Sequence, residues 1–214
     1  MAPKLITEFL GTFFLVLTIG LTVLIGSALA PLAIAGVLIA VIYMGGHISG
    51  AHYNPAVTLA VWIRGKVTLP EAGGYVAVQV LAGVLAAFAA DTITGDVLQV
   101  MPAAETGLGA FFLLELLFTF LLALVILHVA TASDTAGNDY YGLAIGLVVL
   151  AGALAAGPIS GGAFNPAVAI GPILVDLIIG DGASLGGLWV YLVATFAGGA
   201  LAAFTFKAQM PNEA

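Results

Sequence analysis

The distribution of apolar residues constrains this chain more than any other feature. Six stretches, at about 5–26, 32–48, 72–92, 110–131, 141–157 and 186–206, are nearly free of charge, and about 20 apolar residues in helical form cross the hydrocarbon of a bilayer. Across the 214 residues, 62% are hydrophobic and 7% charged, against roughly half and a quarter in a soluble domain. A chain this short cannot enclose that much apolar surface in a core facing water, so lipid is the solvent to reason with. In lipid an open strand edge leaves backbone groups unpaired at several kcal/mol each, which makes helix the expected state of every span. The first stretch is too long for a signal peptide and reads as a retained first span. Runs such as Gly198-Gly199-Ala200-Leu201-Ala202-Ala203 supply the small residues that let membrane helices approach closely.

The polar residues exclude several functions. There is no cysteine, hence no disulfide framework and no thiolate site. His47, His52 and His128 form no plausible metal cluster, and no nucleophile–base pair stands out, so neither enzyme chemistry nor a cofactor is expected. The formal charge of -7 comes from acids spread singly along the chain, which points to no basic or nucleic-acid partner. The four cations are more informative. With the N-terminus inside, Lys4, Arg64, Lys66 and Lys207 all fall on the cytoplasmic side, as the Lys/Arg bias of short loops requires. Both termini are therefore expected in the cytoplasm, and the compact chain in a plasma membrane of prokaryotic type.

The chain also repeats itself. Glu8-Phe9-Leu10-Gly11-Thr12-Phe13 resembles Glu115-Leu116-Leu117-Phe118-Thr119-Phe120, and each is followed by Asn-Pro-Ala-Val, at Asn54 and at Asn165. Halves of about 1–105 and 106–214 each hold three spans, so the second half lies upside down relative to the first within one transmembrane domain. After each Asn comes an apolar piece, about 55–64 and 166–177, too short to span. Interrupted segments at matching positions of an inverted repeat mark a binding site or pathway at the midplane.

Asn is a strong N-cap and Pro suits the first helical position, so Asn54-Pro55-Ala56 and Asn165-Pro166-Ala167 each start a helix. Entering from opposite faces, the two half-helices meet with their N-termini near the bilayer centre, each carrying roughly half a positive charge. Cations and hydronium are repelled there. The Asn amides offer donors to a passing oxygen, while carbonyls of non-helical approaches at 47–53 and 158–164 accept hydrogen bonds. Such backbone survives at membrane depth only inside protein or along a watery cavity, so a pore is expected. Glu8 and Glu115 sit within spans, where an acid faces the bundle interior.

Gly46-His47-Ile48-Ser49-Gly50-Ala51-His52-Tyr53-Asn54-Pro55-Ala56-Val57-Thr58 resembles the first signature of the aquaporin and glycerol facilitator family, the major intrinsic proteins, and Gly162-Ala163-Phe164-Asn165-Pro166-Ala167 with Gly171-Pro172 resembles the second. The likeness covers essentially the whole chain. It implies an all-α membrane protein of six transmembrane helices and two re-entrant half-helices, a pore in each subunit, and a homotetramer. By the same resemblance Glu8 and Glu115 brace the re-entrant loops, and His47 lines the pore or braces a loop.

The family's outer constriction carries over to Ile34, twenty residues before Asn54, and to Ala153, Gly162 and Val168, placed twelve before, three before and three after Asn165. Most water-selective members have Arg at the last of these positions. Val there resembles some tonoplast intrinsic proteins, which implies a wider, more apolar filter open to ammonia, urea, hydrogen peroxide or small polyols besides water. Ala169 and the compact loops resemble the glycerol branch less. The alternatives are a strictly water-selective aquaporin, a coupled secondary transporter and a structural junction protein.

Overall fold

A computed structural model describes residues 1–213. Among them there are helices, turns and no strand. The helices are α1 (Ala2–Leu24), α2 (Ala30–Ser49), α3 (Pro55–Ile63), α4 (Leu69–Thr94), α5 (Leu108–Thr131), α6 (Tyr141–Ala155), α7 (Gly157–Ser160), α8 (Pro166–Ile179) and α9 (Leu188–Gln209). Five of them, α1, α2, α4, α5 and α9 with the short turn before it, are long and apolar enough to cross a membrane. The chain is an integral membrane protein.

The remaining span corrects the sequence reading. Where one helix was expected over 141–157, α6 stops at Ala155 and α7 resumes at Gly157, with Ala156 between them at φ −110°, ψ −22°. The cause is Pro158, which has no N–H to give the Leu154 carbonyl and whose ring crowds the preceding turn. At 1.5 Å per residue α6 alone reaches about 22 Å, and only with α7 does this element approach the hydrocarbon thickness.

The half-helices differ from each other. Helix α3 has 9 residues, whereas α8 has 14 and runs on past Pro172. The non-helical approaches are also shorter than 47–53 and 158–164. Helical backbone continues to Ser49 and to Ser160, and Gly50 (φ 90°) and Gly161 (φ 88°) end it in the left-handed conformation, which only glycine adopts without cost. Residues 50–53 and 161–164 remain.

Packing follows the repeat. Helix α1 lies against α4 and α2, and α5 matches it against α9 and α6; α8 lies on α4 as α3 lies on α9, while α2 and α6 meet each other. The contact faces are made of small residues, such as Ala82, Ala86 and Ala90 of α4 and Ala202 and Ala203 of α9, all fully buried. Two glycines set the closest approaches. A Cβ on Gly83 would lie 2.6 Å from the Ala167 carbonyl oxygen, and one on Gly199 would strike the Ala56 carbonyl oxygen. Each half-helix thus rests its first turn on a bare backbone surface. Large side chains such as Phe14, Leu81, Leu117 and Phe204 point outward, toward lipid tails as apolar as they are.

Candidate functional site: a central pore between two half-helices

The first turns of α3 and α8 meet back to back. Asn54 Oδ1 accepts from the Ala56 and Val57 amides at 2.9 and 3.4 Å, and Asn165 Oδ1 accepts from the Ala167 amide at 2.9 Å. These are N-caps. Each Asn also donates across the centre: Asn54 Nδ2 to the Phe164 carbonyl and Asn165 Nδ2 to the Tyr53 carbonyl, both at 2.9 Å. One amide hydrogen on each Asn is thereby spent tying the motifs together. The other is left for the cavity that both residues line.

The approach loops carry strained backbone. Ala51, Tyr53 and Phe164 have φ of 51°, 49° and 48°, a region that costs non-glycine residues of order 1–3 kcal/mol each. Two buried carboxylates offset this. Glu8 accepts from the Ser49 hydroxyl (2.6 Å), the His52 amide (3.0 Å), the Tyr53 amide (2.7 Å) and Gln79 Nε2 (2.9 Å). Glu115 accepts from the Ser160 hydroxyl (2.7 Å), the Ala163 amide (3.2 Å) and the Phe164 amide (2.8 Å). Tyr75 and Tyr191 repeat the symmetry, their hydroxyls donating to the Ser49 and Ser160 carbonyls at 2.8 and 2.6 Å.

The loops enclose a cavity of about 400 Å³. Ile34, Ala153, Gly162 and Val168 all line it, together with Asn54 and Asn165. Around them stand Leu38, Ile42, Ile145 and Val149, and no Lys, Arg, Asp or Glu is part of the wall. The carbonyls of Gly50, Ala51 and His52 on one side and of Gly161, Gly162 and Ala163 on the other accept no hydrogen bond among the described residues. Pro55, Ala56, Pro166 and Ala167 are buried away from the cavity and shape the helix starts. Toward the ends of α2 and α3 a second cavity of about 330 Å³ opens, lined by Lys4, Lys66 and His52 among others.

His47 departs from its expected place. It is exposed on α2 and lines neither cavity, because Gly50 ends the helix three residues later and the loop turns inward only beyond it. His52 is the histidine at the pore. It lines both cavities, lies edge-on to Tyr75 and pairs its Nδ1 with the Thr58 hydroxyl at 3.1 Å. Its position two residues before Asn54 was the available signal. Tyr75, Tyr191 and Gln79 were not singled out either; the two tyrosines open the third span of each half, which a full alignment of the halves would have exposed.

Two half-helices that meet within a bundle of membrane-crossing helices around a shared cavity give the architecture of a channel. The comparisons place it within a family. The family model described as Major intrinsic protein matches residues 1–206, and the chain belongs to that family. Among similar proteins, "Glycerol uptake facilitator protein-like 6" of Lactiplantibacillus plantarum is 38% identical over 210 residues, 94% of this chain and 95% of its own. "Aquaporin NIP1-1" of Arabidopsis thaliana is 38% identical over 222 residues, 95% of this chain and 72% of its own. The X-ray structure of the aquaglyceroporin from Plasmodium falciparum superposes with a TM-score of 0.87 at 24% identity, covering 99% of this chain and 98% of that one, a likeness of fold.

Proposed function

We propose that this protein is a passive channel for water and small uncharged solutes, with a wide apolar filter that admits ammonia, urea, hydrogen peroxide or small polyols. The observation that carries the reading is Val168, 4% exposed in the cavity wall beside Ile34, Ala153 and Gly162, so that no fixed charge and no strong donor stands at this level. A narrow water filter needs both. The apolar wall lowers the cost for a solute with methylene groups, and the free carbonyls of the loops replace part of its water shell. The first-named relative, a glycerol uptake facilitator-like protein, makes glycerol the polyol to try first.

Asn54 and Asn165 are read as the central donors, and the N-termini of α3 and α8 as the barrier to cations and protons. Glu8 and Glu115 hold the loops in their strained form. The chain is read as one domain of two inverted halves, about 1–105 and 106–214, in keeping with the matching helix pairings. Four copies assembled in a plasma membrane, each with its own pore and with both termini in the cytoplasm, complete the reading. Stopped-flow measurement on proteoliposomes, one solute at a time, tests it. Water, urea and glycerol fluxes well above empty liposomes are expected, and Val168→Arg is expected to keep water while cutting urea and glycerol by about tenfold or more. Exclusion of everything but water by the unaltered protein would overturn the wide filter.

A further inference from the structure

Beyond the apolar ring, the mouth of the cavity holds one polar side chain, that of Gln99. Gln99 lies in the segment between α4 and α5 and lines the main cavity. Its Nε2 donates to Asp176 Oδ1 at 3.0 Å and to Asp181 Oδ1 at 2.7 Å. Asp176 is fully buried near the end of α8, and its other oxygen accepts from the Ser184 amide and hydroxyl at 3.0 and 2.6 Å. Asp181 Oδ1 also accepts from the Ala183 amide at 3.0 Å. The orientation of the Gln99 amide is therefore fixed, because carboxylates only accept and an oxygen turned toward them would be repelled. Both of its N–H donors are spent. The one polar atom its side chain can still offer a solute is Oε1, with its lone pairs.

The surrounding polar groups have the same character. The free carbonyls of Gly161, Gly162 and Ala163 accept, Val168 donates nothing, and the four Lys and Arg residues all belong to the opposite end of the bundle. From the mouth down to Asn165 the side chains of the wall offer acceptors and no free donor. We propose that Gln99, locked by Asp176 and Asp181, is a specificity-determining residue that favours solutes rich in N–H or O–H donors over solutes of equal size with fewer. Within the uncharged solutes assigned above, this ranks urea, with four N–H groups, ahead of acetamide, with two. An apolar wall by itself ranks them the other way. The inference rests on the channel reading of the previous subsection, and its test separates the two.

The experiment compares urea, acetamide and water fluxes in proteoliposomes of the full chain and of two variants. Gln99→Met keeps the length of the side chain and removes Oε1. It is expected to lower the urea-to-acetamide flux ratio by about three- to tenfold, the worth of one hydrogen bond, while water flux stays within about twofold. Asp181→Ala touches no residue of the cavity wall but removes one of the two acceptors that hold the Gln99 amide, and is expected to move the ratio the same way by a smaller factor. An unchanged ratio in a variant that still passes water overturns the role of Gln99. Should Gln99→Met not assemble, an unchanged ratio in Asp181→Ala overturns it equally. Solute flux no greater than empty liposomes for the unaltered protein fails the channel reading instead.

Discussion

At Glu8 a single carboxylate gathers four donors from α2, the approach loop and α4, whereas Glu115 gathers three from the α7 end and the loop after it. Replacing either with Leu keeps the volume and strands those donors in a dry interior, at about 1–3 kcal/mol for each one left unsatisfied. Thermal unfolding in detergent is expected to show both variants destabilised by several kcal/mol, Glu8→Leu more than Glu115→Leu; the reverse order would mean that Gln79 adds nothing. At this scale the sequence was legible wherever residue type and repeat coincided. Asn54, Asn165, Glu8 and Glu115 are all brought around the loops or the cavity, and Ile34, Ala153, Gly162 and Val168, which only the family resemblance singled out, line the cavity. His47 and His52 could not be told apart because the end of α2 depends on one left-handed glycine, and three glycines, Gly45, Gly46 and Gly50, lay within reach.

Among the elements, the half-helices are held by backbone against backbone rather than by side chains. Gly199→Val would drive its Cβ into the Ala56 carbonyl, and Gly83→Val into that of Ala167. Overpacking of this kind costs about 1–3 kcal/mol or more. Both variants are expected to lose folded yield and pore flux together, while Gly73→Val, whose Cβ would meet open space, leaves both unchanged; retained flux in Gly199→Val would contradict the close approach. A second device sits where the end of α3 meets the C-terminal residues. Arg64, buried after α3 and stacked 4.8 Å over Phe206, forms an ion pair with Glu213 at 2.6 Å, and Glu213 also accepts from the Ser133 hydroxyl and amide. The Ser133 hydrogen bonds first, and Arg64 after them, hold the Glu213 carboxyl below its usual range. A lowered value in the folded state means that the tie is complete above the ordinary pKa near about 4.3 and fades as pH falls through the folded value. Hydrogen exchange of the amides at 210–213 is expected to speed up, relative to the intrinsic rate, between pH 7 and pH 3. Equal protection at both would show that the tail is held by something else. Span lengths were readable to within a few residues from the apolar runs, but the break at Ala156 was not, because a Gly-Pro pair near the end of a run reads equally as a helix stop.

At the scale of the whole molecule, composition sufficed for a helical membrane bundle, and the paired Asn-Pro-Ala pieces for two half-helices that share a cavity. Each contact of α1 and α4 has its counterpart at α5 and α9. Which branch of the family the chain sits beside was less legible. Val168 resembles tonoplast proteins, yet the relatives described above carry glycerol facilitator and NIP names. A single filter position reports what the pore lets through, while overall identity reports the lipid-facing and packing surfaces that make up most of the chain. The two need not agree. The central claim is therefore one about flux, and the direct measurement is a stopped-flow comparison of water, urea and glycerol for the unaltered protein and for Val168→Arg in the same liposomes. All three are expected to pass the unaltered protein, and only water to pass the variant at a comparable rate. Passage of water alone through the unaltered protein, or equal urea and glycerol flux with and without the arginine, would contradict it.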